Sequence, residues 1–352
     1  MKYDFTSTMD RHGKDAIAVD GLGAIPGFTP KPPEKGFDVI PMWVADMNFP
    51  TVPTITEAII ERAKHPAFGY FMPEDRYFNS IIKWQEKRHH VTGLTKECIG
   101  YENGIWRMDF EDMDAKIKAN KIHVVVFCNP HNPCGRVWEK WEIEKAMEIY
   151  KANDCVVISD EIWSDIILKG HKHIPVQSVS EDAKNRTAAF YAPSKTFNLA
   201  GLIGSYHIIY NTYLRDRIRA QSSKSHYNDM NVLSMHALIG AYKPEGYEWV
   251  DELCSVLSEN VDYVCDYIAA HFDGVHVSKP EGTYMLFLDC SGWCEKHGKT
   301  IDELEKSGWK VGVAWQDGRM FHGPCAIRLN VALPLSRVKE AMSRLDKYVF
   351  NT

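Results

Sequence analysis

An α/β fold is predicted: a mainly parallel sheet flanked by helices, followed by a smaller α+β unit. Three observations predict it. Between residues 122 and 210, four short and almost wholly apolar runs alternate with helical patterns. The first three of those runs each end at a polar cluster. After Lys243-Pro244 the order changes to one long helical stretch, several short strand patterns and a closing helix. Strands that are apolar throughout, rather than alternating, belong to parallel sheets covered on both faces.

Residues 1–45 are rich in Pro and Gly (Pro26, Pro30, Pro32, Pro33) and read as an extended arm leading into the apolar segment Val39–Val44. Helical patterns follow over Pro53–Lys64 and Asp75–His90, the second with Tyr77, Phe78, Ile81 and Trp84 on its buried face. The first sheet run, Ile122–Cys128, ends at Asn129. A helix follows it, with Ile143, Ala146, Met147 and Tyr150 at i, i+3, i+4 and i+7. The runs Cys155–Ser159, ending at Asp160, Thr187–Tyr191, ending just before Ser194-Lys195, and Ser205–Tyr210 complete the sheet. The second unit is read as a helix Tyr247–His271, strands at Val275–Ser278, Tyr284–Asp289, Val311–Ala314 and Ala326–Val331, and a last helix Leu335–Phe350. Residues 46–245 are therefore expected to form a large domain. Residues 1–45 and 246–352 are expected to form the small one.

Bulk composition agrees with two ordinary domains: 352 residues, 45% hydrophobic and 25% charged. The net charge of −6 is spread over both signs, which argues against nucleic acid or an anionic membrane as a partner. The polar N-terminus has no apolar leader and no stretch reaches membrane-span length, so a cytoplasmic location is expected. Nine cysteines with no C-x-x-C pair or zinc spacing read as reduced thiols, and no metal is expected.

The chemistry lies in the three polar clusters: Asn129-Pro-His-Asn132-Pro-Cys-Gly135, Ser159-Asp160-Glu161 and Ser194-Lys195-Thr196. Each has a bland reading when taken alone: two turns, a helix N-cap, a surface lysine. Together, at the carboxyl ends of consecutive strands, they converge where open α/β sheets bind ligands. An amine there can form an imine with an aldehyde cofactor. A carboxylate keeps a pyridine nitrogen protonated, and an amide donates to a phenolic oxygen.

These motifs, with Ser-Lys-Thr-Phe-Asn-Leu-Ala-Gly-Leu at 194–202, resemble the fold-type I enzymes of aminotransferase class I/II, which use pyridoxal 5'-phosphate (PLP). Trp43-Val-Ala-Asp46-Met, Phe68-Gly-Tyr70 and Arg328-Leu-Asn330 resemble the cystathionine β-lyase and C–S lyase branch of the MalY/PatB kind. The resemblance implies an aspartate-aminotransferase-like fold and a homodimer. It implies Lys195 as the Schiff-base lysine, Asp160 at the pyridinium nitrogen, Asn132 at the phenolic oxygen and Ser194 at the phosphate. Tyr70 would reach the phosphate of the neighbouring subunit. Arg328 would hold the α-carboxylate of a small amino-acid substrate. Arg319 and His322 receive no role.

Three departures qualify the activity. Trp163 stands where most aminotransferases have an aromatic hydroxyl, so at the cofactor it can only pack. Ile203 stands where they have a phosphate-binding Arg, a loss common in the lyase branch. Between Gly100-Tyr-Glu-Asn-Gly104 and Ile105-Trp106-Arg107, family members carry some tens of further residues, with a phosphate-cradling helix N-terminus and a ring-stacking aromatic. The expected function is a β-eliminating C–S lyase. An aminotransferase and a cofactor-impaired, non-catalytic relic are the alternatives.

Overall fold

The computed structural model describes residues 1–25, 28–65, 76–77, 80, 84, 87–88, 100–102, 105–202, 204–224 and 231–351. In chain order the strands are β1 (Ile40–Pro41), the hairpin pair β2 (Gly100–Glu102) and β3 (Ile105–Arg107), and β4 (Val124–Cys128), β5 (Val156–Asp160), β6 (Thr187–Tyr191) and β7 (Tyr206–Ile208). Then come β8 (His276–Val277), β9 (Met285–Asp289), β10 (Val313–Ala314), β11 (Gln316–Asp317) and β12 (Ala326–Asn330).

The four apolar runs form one sheet in the order β4-β5-β6-β7. The first three strands are parallel, in the register Val126↔Ile158 and Ile158↔Ala188. The fourth is antiparallel to β6, with Phe190 opposite His207. A parallel return needs a crossover, usually a long helix. Among its described residues the β6–β7 connection holds the four-residue helix Pro193–Thr196 and one 3-10 turn rather than a long crossover helix, and the chain reverses.

The expectation of a sheet covered on both faces needs correction. Val125, Phe127 and Val157 point into a core with Met113 and Ile117 of the helix Phe110–Asn120, Ile143, Ala146, Met147 and Tyr150 of the helix Lys140–Ala152, and Ala183 of the helix Glu181–Arg186. On the other face Val124 and Val126 are 54% and 42% exposed, Val156, Ile158 and Phe190 are half-buried, and His207 is exposed. The reason is topological. Right-handed crossovers that advance in one direction along a sheet put every connecting helix on the same side. The opposite face needs helices from strands wound the other way, and the described residues include none that covers Val124 and Val126.

The second sheet, β11-β12-β9-β8, is antiparallel. β12 is buried along its whole length, and β9 along all but its last residue. The helix Pro244–His271 begins with Pro at its first position, where a missing amide costs nothing. It buries Trp249, Val250, Leu253, Leu257, Val261, Val264 and Ile268 as one stripe. Its Asn260 donates to the Val331 and Leu333 carbonyls at 2.8 Å each, which fixes the chain just past β12. The N-terminal arm makes contacts with this unit. β1 pairs in parallel with β10, and the Tyr3 hydroxyl donates to the Glu245 carbonyl at 2.7 Å. Of the pattern at Asp75–His90, Tyr77 and Trp84 are buried as read, whereas Phe78 and Ile81 lie outside the described residues.

Candidate active site

The carboxyl ends of β4, β5 and β6 bring the three polar clusters together with β12. Lys195 sits in the short helix after β6, half-buried, and its Nζ donates to the Ala45 carbonyl at 3.1 Å. That amine lies 5.7 Å from the ring centroid of Trp163, which is buried and packs edge-on to Tyr284 at 4.7 Å. The Tyr284 hydroxyl donates to the same Ala45 carbonyl at 3.2 Å. Burial, and then the nearby Arg328 guanidinium, hold the Lys195 amine below its ordinary pKa, while Asp46 and Asp160 oppose the shift.

Asp160 closes β5, and one of its oxygens accepts the Ile162 amide at 3.3 Å. Behind it, Glu161 is wholly buried. Its carboxylate accepts from Ser159 at 2.7 Å and from the Tyr191 hydroxyl at 3.0 Å, and meets His173 Nε2 at 2.8 Å. This polar core anchors the turn that presents Asp160.

Arg328 lies in the middle of β12 and is buried, with Phe321 over its guanidinium at 4.4 Å. Nη2 donates to Gln316 Oε1 and to the Trp43 carbonyl, Nη1 donates to Asn132 Oδ1 at 3.4 Å, and Nε meets no hydrogen-bond partner among the described residues. Every acceptor it meets among the described residues is neutral, and burial pulls its pKa down to about 10. A buried guanidinium facing only neutral acceptors is set to take a carboxylate.

The segment Trp43–Met47 ties these parts together through its carbonyls. Trp43 accepts from Arg328, Ala45 from Lys195 and Tyr284, and Met47 from Asn198 Nδ2 at 2.9 Å. Asn330 Nδ2 donates to both Val44 and Asp46, at 2.6 and 2.7 Å. Asp46 itself pairs with Arg11 at 2.6 Å.

The structure thus brings Lys195, Trp163, Asn132 and Arg328 into one neighbourhood, with Asp160 acting on the Lys195 charge. Ser194 is half-buried beside Lys195 at the start of the same short helix. Tyr70 and Ile203 lie outside the described residues. Arg319 is engaged elsewhere, with Asp302 and Asp317. Sequence reasoning missed Tyr284, Gln316 and the Ala45 carbonyl. Trp43–Met47 stood out as a motif, but nothing in it says that its carbonyls, rather than its side chains, serve the site.

The sequence profile of the family described as aminotransferase class I and II matches residues 58–345. The chain belongs to that family. Cystathionine beta-lyase PatB of Bacillus subtilis (strain 168) is 28% identical over 394 aligned positions, covering 97% of this chain and 98% of PatB. That alignment is longer than the 352 residues available here, so PatB carries residues this chain lacks. Cystalysin from Treponema denticola, whose crystal structure contains a pyridoxal 5'-phosphate cofactor, superposes with a TM-score of 0.87 at 26% identity, over 99% of both chains. The PLP-bound C-S lyase from Staphylococcus hominis superposes with a TM-score of 0.85 at 25% identity, over 99% of this chain and 98% of that one. The family's architecture accommodates the mainly parallel sheet and the smaller α+β unit described above.

Proposed function

We propose that this chain is a PLP-dependent C–S β-lyase that cleaves L-cystathionine or related S-substituted cysteines to a thiol, pyruvate and ammonia. The observation that carries the reading is one neighbourhood holding a lysine amine of lowered pKa, a carboxylate at a strand end, an amide and a buried guanidinium that has no carboxylate partner among the described residues. These residues fit the cofactor. Lys195 would hold it covalently, Asp160 would keep the proton on its ring nitrogen, Asn132 would face its phenolic oxygen, Trp163 would pack beside it and Ser194 would take part of its phosphate. Bound there, the cofactor supplies an aldehyde for amines and a ring that withdraws electrons from the α-carbon.

The chain's own residues supply the rest. Arg328 orients the amino acid by its α-carboxylate. The Lys195 amine, whose lowered pKa favours the neutral form, takes the α-proton as general base. Its bond to the Ala45 carbonyl gives the freed amine a defined resting place. The buried Trp163 closes one side against water. Residues 46–245 would form the large domain and 1–45 with 246–352 the small one, so that Arg328 and Lys195 come from different domains. A homodimer would add Tyr70 from its partner.

Lyase is preferred to aminotransferase because Trp163 packs on Tyr284 and brings no hydroxyl, and because the relatives above include a cystathionine beta-lyase and a C-S lyase. The test is pyruvate release from L-cystathionine with added PLP and no 2-oxo acid. Release is expected. Turnover only with a 2-oxo acid would make the chain an aminotransferase, and no turnover without a visible cofactor band would make it a relic.

A further inference from the structure

The carbonyl of Ala45 accepts two bonds that converge from distant parts of the chain. Lys195 Nζ donates to it at 3.1 Å from the short helix after β6, and the Tyr284 hydroxyl donates to it at 3.2 Å from the residue before β9. A carbonyl oxygen has two lone pairs, and these two donors account for both. Bonds to the flanking residues fix the carbonyl in place. On one side Asn330 Nδ2 holds the Val44 and Asp46 carbonyls at 2.6 and 2.7 Å. On the other, Asn198 holds the amide and the carbonyl of Met47 at 3.0 and 2.9 Å.

The backbone that delivers Tyr284 is held against its own preference. Thr283 has a φ of +68°, a left-handed conformation in which a β-branched residue is an outlier. Its amide donates to the Ile166 carbonyl at 2.8 Å, and its Oγ1 accepts the Met285 amide at 3.1 Å. Gly282 before it is wedged so closely that an added Cβ would stand 2.9 Å from Val137 Cγ2 and 3.0 Å from the Ile166 carbonyl oxygen. Strain of this kind persists where the surroundings over-determine it, and it gathers at functional sites. Its outcome here is a wholly buried tyrosine aimed at Ala45, with Trp163 edge-on to its ring at 4.7 Å.

We propose that Tyr284 is a positioning residue for Lys195, a role that rests on the proposed use of that lysine as base: its hydroxyl takes one lone pair of the Ala45 carbonyl and so biases the lysine toward the neutral amine. An ammonium gains more from a carbonyl than a neutral amine does, because its bond is charge-assisted. A hydroxyl hydrogen lying against the same oxygen sets the positive end of its dipole beside the ammonium and reduces that gain. The neutral amine loses less. It keeps one N–H bond to hold it and a lone pair to take a proton. Three charged groups act on the same amine: the Arg328 guanidinium of β12 pushes the same way, and the Asp46 and Asp160 carboxylates oppose it. Tyr284 itself stays protonated, since burial, and then Asp46, hold it well above the ordinary tyrosine range against the opposing pull of Arg328. Towards the carbonyl it is therefore a permanent donor.

The test reads the lysine itself and needs no turnover. The purified protein is freed of any bound aldehyde with hydroxylamine and labelled with trace acetic anhydride over a range of pH. Acetylation of the peptide bearing Lys195 is followed by mass spectrometry. In Tyr284→Phe the labelling midpoint of Lys195 should rise by about half a unit, leaving about threefold less neutral amine at a given lower pH. Site-specific 3-fluorotyrosine at position 284 is a stronger donor and should lower the midpoint, and it decides the matter if Tyr284→Phe does not fold. The exposed Lys140 should label alike in all three proteins. An unchanged Lys195 midpoint in a folded variant, or a shift of the opposite sign, would overturn the proposal whatever reaction the protein catalyses. The expected shifts in a protein that releases no pyruvate from L-cystathionine would support the role of Tyr284 and remove the reaction proposed for the site.

Discussion

At the residue scale, the site is built from side chains held by neutral groups. Arg328 faces the Gln316 and Asn132 side chains and the Trp43 carbonyl, and Lys195 faces the Ala45 carbonyl. An Asp or Glu against Arg328 would occupy the position that a substrate carboxylate needs. Charge-assisted hydrogen bonds contribute ~1.5–3 kcal/mol each. Arg328→Gln should therefore lower kcat/KM for the amino acid ~10–150-fold for each bond lost. The cofactor band should be unchanged, as read by steady-state kinetics beside an absorbance spectrum. Equal loss of the band and the activity would place Arg328 at the cofactor instead. Lys195, Asp160 and Asn132 could be picked out in the sequence because each stands in a motif at or just past a strand end, and Arg328 because it stands in the Arg328-Leu-Asn330 motif of an apolar strand. Tyr284 and Gln316 could not, because neither stands in one of those motifs, and Gln316 meets Arg328 only through the pairing of β11 with β12. A carbonyl such as that of Ala45 has no residue-type signature at all.

At the element scale, the strand and helix pattern was legible where periodicity was strong. Ile143, Ala146, Met147 and Tyr150 are all buried on one helix, as their spacing required. The direction of β7 was not legible, because an apolar three-residue strand looks the same either way and only the short β6–β7 connection decides it. The helix Ile301–Lys310 carries a feature that spacing also hid. It starts with a reciprocal cap between Thr300 and Glu303, yet it buries Glu305 beside Asp317 and Asp302, with Arg319 the nearby cation. Burial, and then Asp317, raise the Glu305 carboxyl from an ordinary value of 4.5 to about 7. An acid whose folded pKa is raised binds its proton more tightly when folded. It costs nothing below about pH 4.5, where both states are protonated, and its full penalty is present above about pH 7. Glu305→Gln should stabilise the protein on the order of 2–3 kcal/mol at pH 8 and have no effect near pH 4. Denaturant unfolding at the two pH values measures this. An equal effect at both would mean that the carboxyl does not titrate in this window.

At the scale of the whole molecule, the proposed PLP site sits on a chain that lacks residues present in PatB. Gly100–Glu102 pairs directly with Ile105–Arg107, and among the described residues nothing covers the sheet face at Val124 and Val126. The mainly parallel fold could be read from the alternation of strands and helices. The open face could not, because an apolar residue reads the same whether or not a helix covers it. Val124→Thr combined with Val126→Thr should change stability by no more than ~0.5 kcal/mol, as befits exposed positions. It should also reduce binding of a hydrophobic dye and aggregation on storage. A loss of more than ~2 kcal/mol would mean that these side chains are covered in solution. The same missing residues should weaken the cofactor. Without two or three charge-assisted bonds to the phosphate, ~3–9 kcal/mol of binding is absent. Grafting a relative's segment between Gly104 and Ile105 should tighten PLP binding by at least tenfold in an absorbance titration. Affinity that is already tight, and unchanged by the graft, would mean that other groups hold the phosphate.

Attachment of the cofactor to Lys195 can be tested without turnover. The purified protein is incubated with excess PLP, reduced with borohydride, digested and mapped by mass spectrometry. A pyridoxyl group on Lys195, and its absence from that peptide in Lys195→Ala, is the predicted result. A label on another lysine with Lys195 unmodified would contradict the assignment, and with it the chemistry built on this site.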